Sequence, residues 1–142
     1  FLARWMATAG FDRLMLLPVG TTAPGETSPY SAASTMSIDP MFIAMSGVQD
    51  FARAGGEAAL SAEGASHLIE ARQSGTVSYS DVRPAKHEAL GLAFRQFIVD
   101  EWEMRTPRAA MLAAFIARER WWLDDYALFH ALAHAASPTM TG

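Results

Sequence analysis

The residues best placed to do chemistry lie in one short stretch, Thr21-Thr22-Ala23-Pro24-Gly25-Glu26-Thr27-Ser28-Pro29-Tyr30. Prolines at 24 and 29 narrow the backbone around Ser28 and Tyr30. A phenol on a stiffened loop offers a flat apolar face and one hydroxyl. That combination suits a sugar ring, whose C–H faces stack on aromatic surfaces while its hydroxyls seek directional partners. The competing expectation is that Tyr30 packs into the core of a long loop and its hydroxyl meets a backbone carbonyl.

Other candidates carry less chemistry. Asp124 and Asp125 sit beside Trp122 and Tyr126, but adjacent helical residues point about 100° apart, so the two carboxyl groups do not converge. One is expected to hold an arginine or a backbone group and the other to be solvated. Trp122 shares a helical face with Phe115, Tyr126 and Phe129, which predicts core, and Trp121 lies off that face. His130 and His134 are four apart but have no glutamate between them and no third ligand nearby, so no metal is expected. His67 and His87 read as surface or partly satisfied helix residues. Gly20 and Gly25 belong to no phosphate-binding pattern, and Ser28 lacks a nucleophile elbow. No cofactor is expected.

These residues must be positioned by elements that the hydrophobic pattern predicts. Leu2, Trp5 and Met6 before Ala9-Gly10 read as the end of a helix capped by glycine. Arg13 to Leu17 is almost wholly apolar and does not alternate, as expected of a strand covered on both faces of a parallel sheet. Residues 18–33 are turn chemistry, and Asp39-Pro40 marks an extended turn. Ser61-Ala62-Glu63-Gly64 predicts an N-cap and a short helix toward Arg72. Residues 75–82 read as a loop, and Pro84 as the start of a helix whose apolar face is Leu90, Phe94, Phe97, Ile98 and Trp102. Pro107 ends or interrupts that helix, and a last stripe runs from Arg108 to Ala135.

One buried strand among four or five helices leaves its edge hydrogen bonds without partners, so sheet neighbours outside the chain are expected. The opening residues, Phe1-Leu2-Ala3-Arg4-Trp5, start inside an amphipathic pattern and are read as part of something longer. The chain has 142 residues, 51% of them hydrophobic, which is enough to build a core. Its net charge of -4, with 11 Lys and Arg, argues against a nucleic-acid surface. No apolar run approaches the ~20 residues that span a bilayer, so no membrane partner is expected. With no cysteine, a disulfide framework is excluded, and a cytoplasmic location is expected.

Several motifs also carry a resemblance. Leu16-Leu17-Pro18-Val19-Gly20, then Ala23 to Ser34 around Ser28-Pro29-Tyr30, Ile38 to Ile43, Val82-Arg83-Pro84-Ala85-Lys86 and Trp122 to Phe129 follow one another as in the amylomaltase or 4-alpha-glucanotransferase family, which the chain resembles. The resemblance implies an α/β chain: a fragment of a (β/α)8 TIM barrel with an inserted, mainly helical subdomain. It divides the chain into a barrel portion (1–49), a helical insertion (50–136) and a tail (137–142). It implies part of a retaining alpha-1,4-glucan 4-glucanotransferase, a cytoplasmic enzyme of carbohydrate metabolism. That enzyme moves glucan segments between malto-oligosaccharides through a covalent glucosyl-enzyme intermediate. Retaining chemistry needs two carboxyl groups about 5 Å apart. The family's carboxylates match nothing here, so the resemblance places no catalytic residue in this chain and predicts it to be inactive alone. Tyr30 would touch a bound glucose and Ser28 would shape its turn, with malto-oligosaccharides and the remainder of the parent barrel as partners. The alternative is a noncatalytic glucan-binding or structural domain of a larger protein.

Overall fold

The computed structural model describes residues 2–22 and 26–136. Ala23, Pro24 and Gly25 of the aromatic loop, and the tail from residue 137, lie outside the described residues. The chain divides into two compact units, Phe1–Phe42 and Ile43–Gly142.

In the first unit, α1 (Leu2–Thr8) ends at Gly10, which takes a φ of 87°. There the Phe11 amide donates to Met6 O (3.0 Å) and the Gly10 amide to Ala7 O (3.2 Å), so the last carbonyls of the helix are satisfied. The segment expected to be a buried strand follows. Arg13–Leu17 pairs with no strand, and Leu14, Met15, Leu16 and Leu17 are exposed, Met15 at 95%. The described residues form no β-sheet; their only β pairing is two isolated antiparallel bridges, Gly20 with Ile38 and Thr22 with Ala32. The expected (β/α)8 barrel fragment is therefore overturned. An apolar run becomes a strand only where a second backbone pairs with it, and among the described residues no backbone segment pairs along Arg13–Leu17.

Gly20 is where the loop closes. A Cβ there would fall well inside contact distance of the Ser34 carbonyl oxygen and 3.3 Å from the Ala32 side chain. Gly20→Ala is expected to destabilise the loop by about 1–3 kcal/mol. The check is faster hydrogen exchange at the Thr21 and Ala33 amides, which donate to Ser37 O (3.1 Å) and Thr21 O (2.7 Å).

The second unit packs α2 (Gln49–Arg53) and α3 (Ala62–Gln73) onto α4 (Tyr79–Phe97). Ser61 caps α3, its hydroxyl accepting from the Gly64 amide at 3.0 Å. Glu88 reaches across from α4 to take the Ser61 amide (2.6 Å) and hydroxyl (3.0 Å), passing over Gly64, which has no side chain to obstruct it. Pro84 does not start α4 but lies inside it, because the helix begins at Tyr79. The buried face of α4 is Ala85, Ala89 and Ala93, small residues four apart that admit close backbones. Phe94 (57% exposed) and Trp102 (41%), expected on the apolar face, are exposed instead. Phe51 is the one large side chain of the buried cluster, with Ala89 and Ala93 beneath it and Met45, Val48, Leu60 and Leu92 around it.

A π-helical turn, Ile98–Trp102, follows α4, and Arg105 reverses the chain with a φ of 52°. Thr106 then caps α5 (Pro107–Ala136), where Pro107 holds the first helical position that needs no amide donor. No described helix is long and apolar enough to cross a membrane.

Candidate functional site

Ser28 and Tyr30 sit together on a turn in the first unit. The Tyr30 amide donates to Ser28 Oγ (3.3 Å), and the Ser31 amide to Ser28 O (3.1 Å). Ser28 thus supports the turn, and Tyr30 is 74% exposed, its side chain standing away from the unit rather than in a loop core. Beneath the turn lies a buried polar node that sequence reading missed. Asp39, 2% exposed, accepts from the Thr22 amide (3.3 Å) and hydroxyl (3.2 Å) through Oδ2, and from the Met41 amide (2.9 Å) through Oδ1. Thr21 and Ser37 hydroxyls meet at 2.7 Å beside it.

The second unit gathers its buried carboxylates on one arginine. Arg108 donates to both oxygens of Asp50 (2.8 and 2.6 Å) and to Glu101 Oε1 (2.8 Å). Arg53 reaches Glu101 Oε1 at 3.1 Å, and the Thr106 hydroxyl donates to Glu101 Oε2. Arg108 also lies 5.3 Å from the centre of the Phe97 ring. The Asp50 carboxyl is held below its ordinary range first by the Arg108 hydrogen bonds, against the opposing effect of burial. Glu101 is lowered first by Thr106 and then by Arg108. Arg108 itself is raised, by Asp50 and then Glu101. Arg108 stands 58 residues from Asp50 and Arg53 stands 48 from Glu101, so no local pattern announces these pairs.

His67, read as a surface or partly satisfied helix residue, has its Nδ1 3.0 Å from Asp81 Oδ1. The Ser78 hydroxyl donates to the other oxygen of Asp81, and this bond, ahead of His67, lowers the Asp81 pKa. The order is serine, aspartate, histidine. A nucleophilic serine needs the histidine next to it, so this trio fastens α3 to α4 and activates nothing. The described residues hold no cluster of three or more metal-ligating groups.

On α5 the aromatic stripe does not form a core. Phe115 and Phe129 are exposed, and Trp122, Tyr126 and His130 lean on one another along the helix, at ring separations of 5.8 and 4.3 Å. Asp124 pairs with Arg120 on the same helix (2.9 Å), both exposed, and Asp125 is exposed. Trp121 is 71% exposed. The side chain of His134 lies outside the described residues.

A family model described as 4-alpha-glucanotransferase matches residues 1–140. The chain belongs to the 4-alpha-glucanotransferase family. Among curated relatives it is similar to the 4-alpha-glucanotransferase of Thermus thermophilus, 35% identical over 138 residues, and to that of Chlamydia pneumoniae, 26% identical over 133 residues. These matches cover 95% and 94% of this chain but 24% of each relative. The chain therefore spans about a quarter of the length of these relatives. No solved structure matches it.

Membership of the 4-alpha-glucanotransferase family is a statement about sequence. The resemblance also implied a barrel, a place in a glucan-transferring enzyme, and the remaining barrel as a partner. All three are overturned for this chain by a fold that is helical and, among the described residues, without a sheet. Glucosyl transfer by the retaining route needs two carboxyl groups facing one reacting carbon. Here Asp50 and Glu101, which do converge, converge on Arg108.

Proposed function

We propose that this chain is a noncatalytic domain of a larger protein: a helical structural unit, with a loop unit that offers one aromatic contact to an alpha-glucan. One observation carries the noncatalytic reading. The buried carboxylates of the helical unit, Asp50 and Glu101, are bonded to Arg108 across α2, the π-turn and α5, so their charge holds helices together. A carboxylate in that state is neither a free nucleophile nor a proton donor at neutral pH.

The glucan contact rests on Tyr30. Its phenol is exposed on a turn that its neighbour Ser28 braces, which leaves the ring face open to the C–H surface of a sugar. The glucan itself comes from the relatives, whose names describe action on such chains. Titration of maltoheptaose into the 142-residue chain is expected to give weak, millimolar-range binding, and Tyr30→Ala to weaken it by up to roughly tenfold, since one aromatic contact amounts to about 0.5–1.5 kcal/mol. Absence of binding in the unaltered chain would leave a purely structural domain.

A further inference from the structure

We infer that Asp39, nine residues from Tyr30 and buried, is the positioning residue that sets the Tyr30 turn; its importance for glucan binding rests on the reading above. Residues 26–32 form a turn whose two limbs both end on Thr22. On one side the Thr22 hydroxyl donates to Glu26 O (3.4 Å); on the other Thr22 bridges to Ala32, and the Ala33 amide donates to Thr21 O (2.7 Å). Tyr30 lies between those limbs. Whatever holds Thr22 therefore holds the base of the turn.

Asp39 does so through two kinds of bond. Its Oδ2 accepts from both the amide and the hydroxyl of Thr22, while its Oδ1 accepts from the Met41 amide and its own amide donates to Val19 O (2.8 Å). The carboxylate is tied on its other side to the segment that begins the 3₁₀ turn Pro40–Phe42. A threonine hydroxyl has one proton, so its donations to Asp39 and to Glu26 O share it. The amide bond to Asp39 is the hold that does not alternate. At 2% exposure water does not replace it.

Asn at 39 has nearly the same shape but one acceptor oxygen in place of two, so either Thr22 or Met41 loses its acceptor. The chain contains three tyrosines, at 30, 79 and 126, and the latter two belong to the other unit. Fluorotyrosine labelling thus reports Tyr30 separately by 19F NMR, with Tyr30→Phe as the assignment control. In Asp39→Asn the unliganded Tyr30 resonance is expected to shift or split while those of Tyr79 and Tyr126 stay in place. Maltoheptaose affinity is expected to fall roughly tenfold, the equivalent of one lost contact.

A role confined to stability would lower the melting temperature yet leave the Tyr30 resonance and the affinity of the folded variant unchanged, and that result overturns the inference. Where Asp39→Asn unfolds the loop unit, Thr22→Val replaces it. That variant removes the hydroxyl and keeps the amide, so a smaller displacement of the Tyr30 resonance is expected, and no displacement overturns the inference. A wild-type chain whose Tyr30 signal ignores maltoheptaose ends the glucan reading instead; the unliganded resonance in the variants still decides what Asp39 does.

Discussion

Phe51→Ala is expected to lower the stability of the helical unit by about 3–5 kcal/mol, measured by urea denaturation with helix content as the signal. A domain of this size is stable by about 5–15 kcal/mol, so the loss is a large part of the whole. Phe51 is 7% exposed and is the one large side chain in the buried cluster, resting on Ala89 and Ala93. Those alanines have no atoms with which to fill the space a lost ring leaves. A partly open pocket of about 270 Å³ already adjoins the ring, lined by Leu60, Leu68, Val82, Ala85 and Ala89 among others. Truncation widens that pocket at the centre of the buried cluster. Phe51→Leu retains much of the volume and is expected to cost less. Equal losses for the two variants would show that the ring is not the packing centre.

That dependence on one ring and three alanines explains where the sequence was readable. Turn and cap signals act within a few residues, and Ser61 before Ala62-Glu63-Gly64 is the cap of α3, as Gly10 is the close of α1. The faces of α4 were not readable in the same way. Periodicity counts large apolar residues, and Leu90, Phe94 and Trp102 make the more visible stripe. Packing chose Ala85, Ala89 and Ala93, because α2 and α3 approach α4 closely along small side chains. The Arg13–Leu17 run shows the converse failure. Its composition is that of a buried strand, but strand formation is decided by a partner backbone, which no local pattern supplies.

The loop site divides along the same line. Ser28 and Tyr30 are joined by a bond two residues long, which proline and serine chemistry announces. Asp39 carries one local sign, the bond its carboxylate accepts from the amide two residues on, typical of aspartate in turns. Its grip on Thr22, across 17 residues, has no local sign. The ion-pair cluster is more distant still, Arg108 standing 58 residues from Asp50. Charged residues at such separations read as surface until the fold brings them together.

Arg108→Met is expected to lower the melting temperature of the helical unit by several degrees at pH 7, and by much less in acid. The side chain keeps most of its length and its packing on Phe97, so the loss isolates the guanidinium. Without it Asp50, whose side chain is 9% exposed, keeps Arg53 at 4.0 Å, and Glu101 keeps Thr106 and Arg53. Breaking such a cluster from one side leaves charge out of water without its partner, which costs more than the pair contributes when intact. The pH dependence follows from the direction of the shifts. Asp50 and Glu101 are both lowered in the folded chain from ordinary values of 3.8 and 4.5. Their contribution is complete above those values and is lost as the pH falls below them through the folded pKa. Wild type should therefore lose stability across that acid range, and Arg108→Met, with Asp50 no longer lowered by Arg108, should lose less. Thermal melts of both proteins at pH 7 and pH 3 measure the difference directly. A gap between the two melting temperatures that stays constant from pH 7 to pH 3 would mean that the arginine acts through packing alone, and that the carboxylates beneath it are held by other groups.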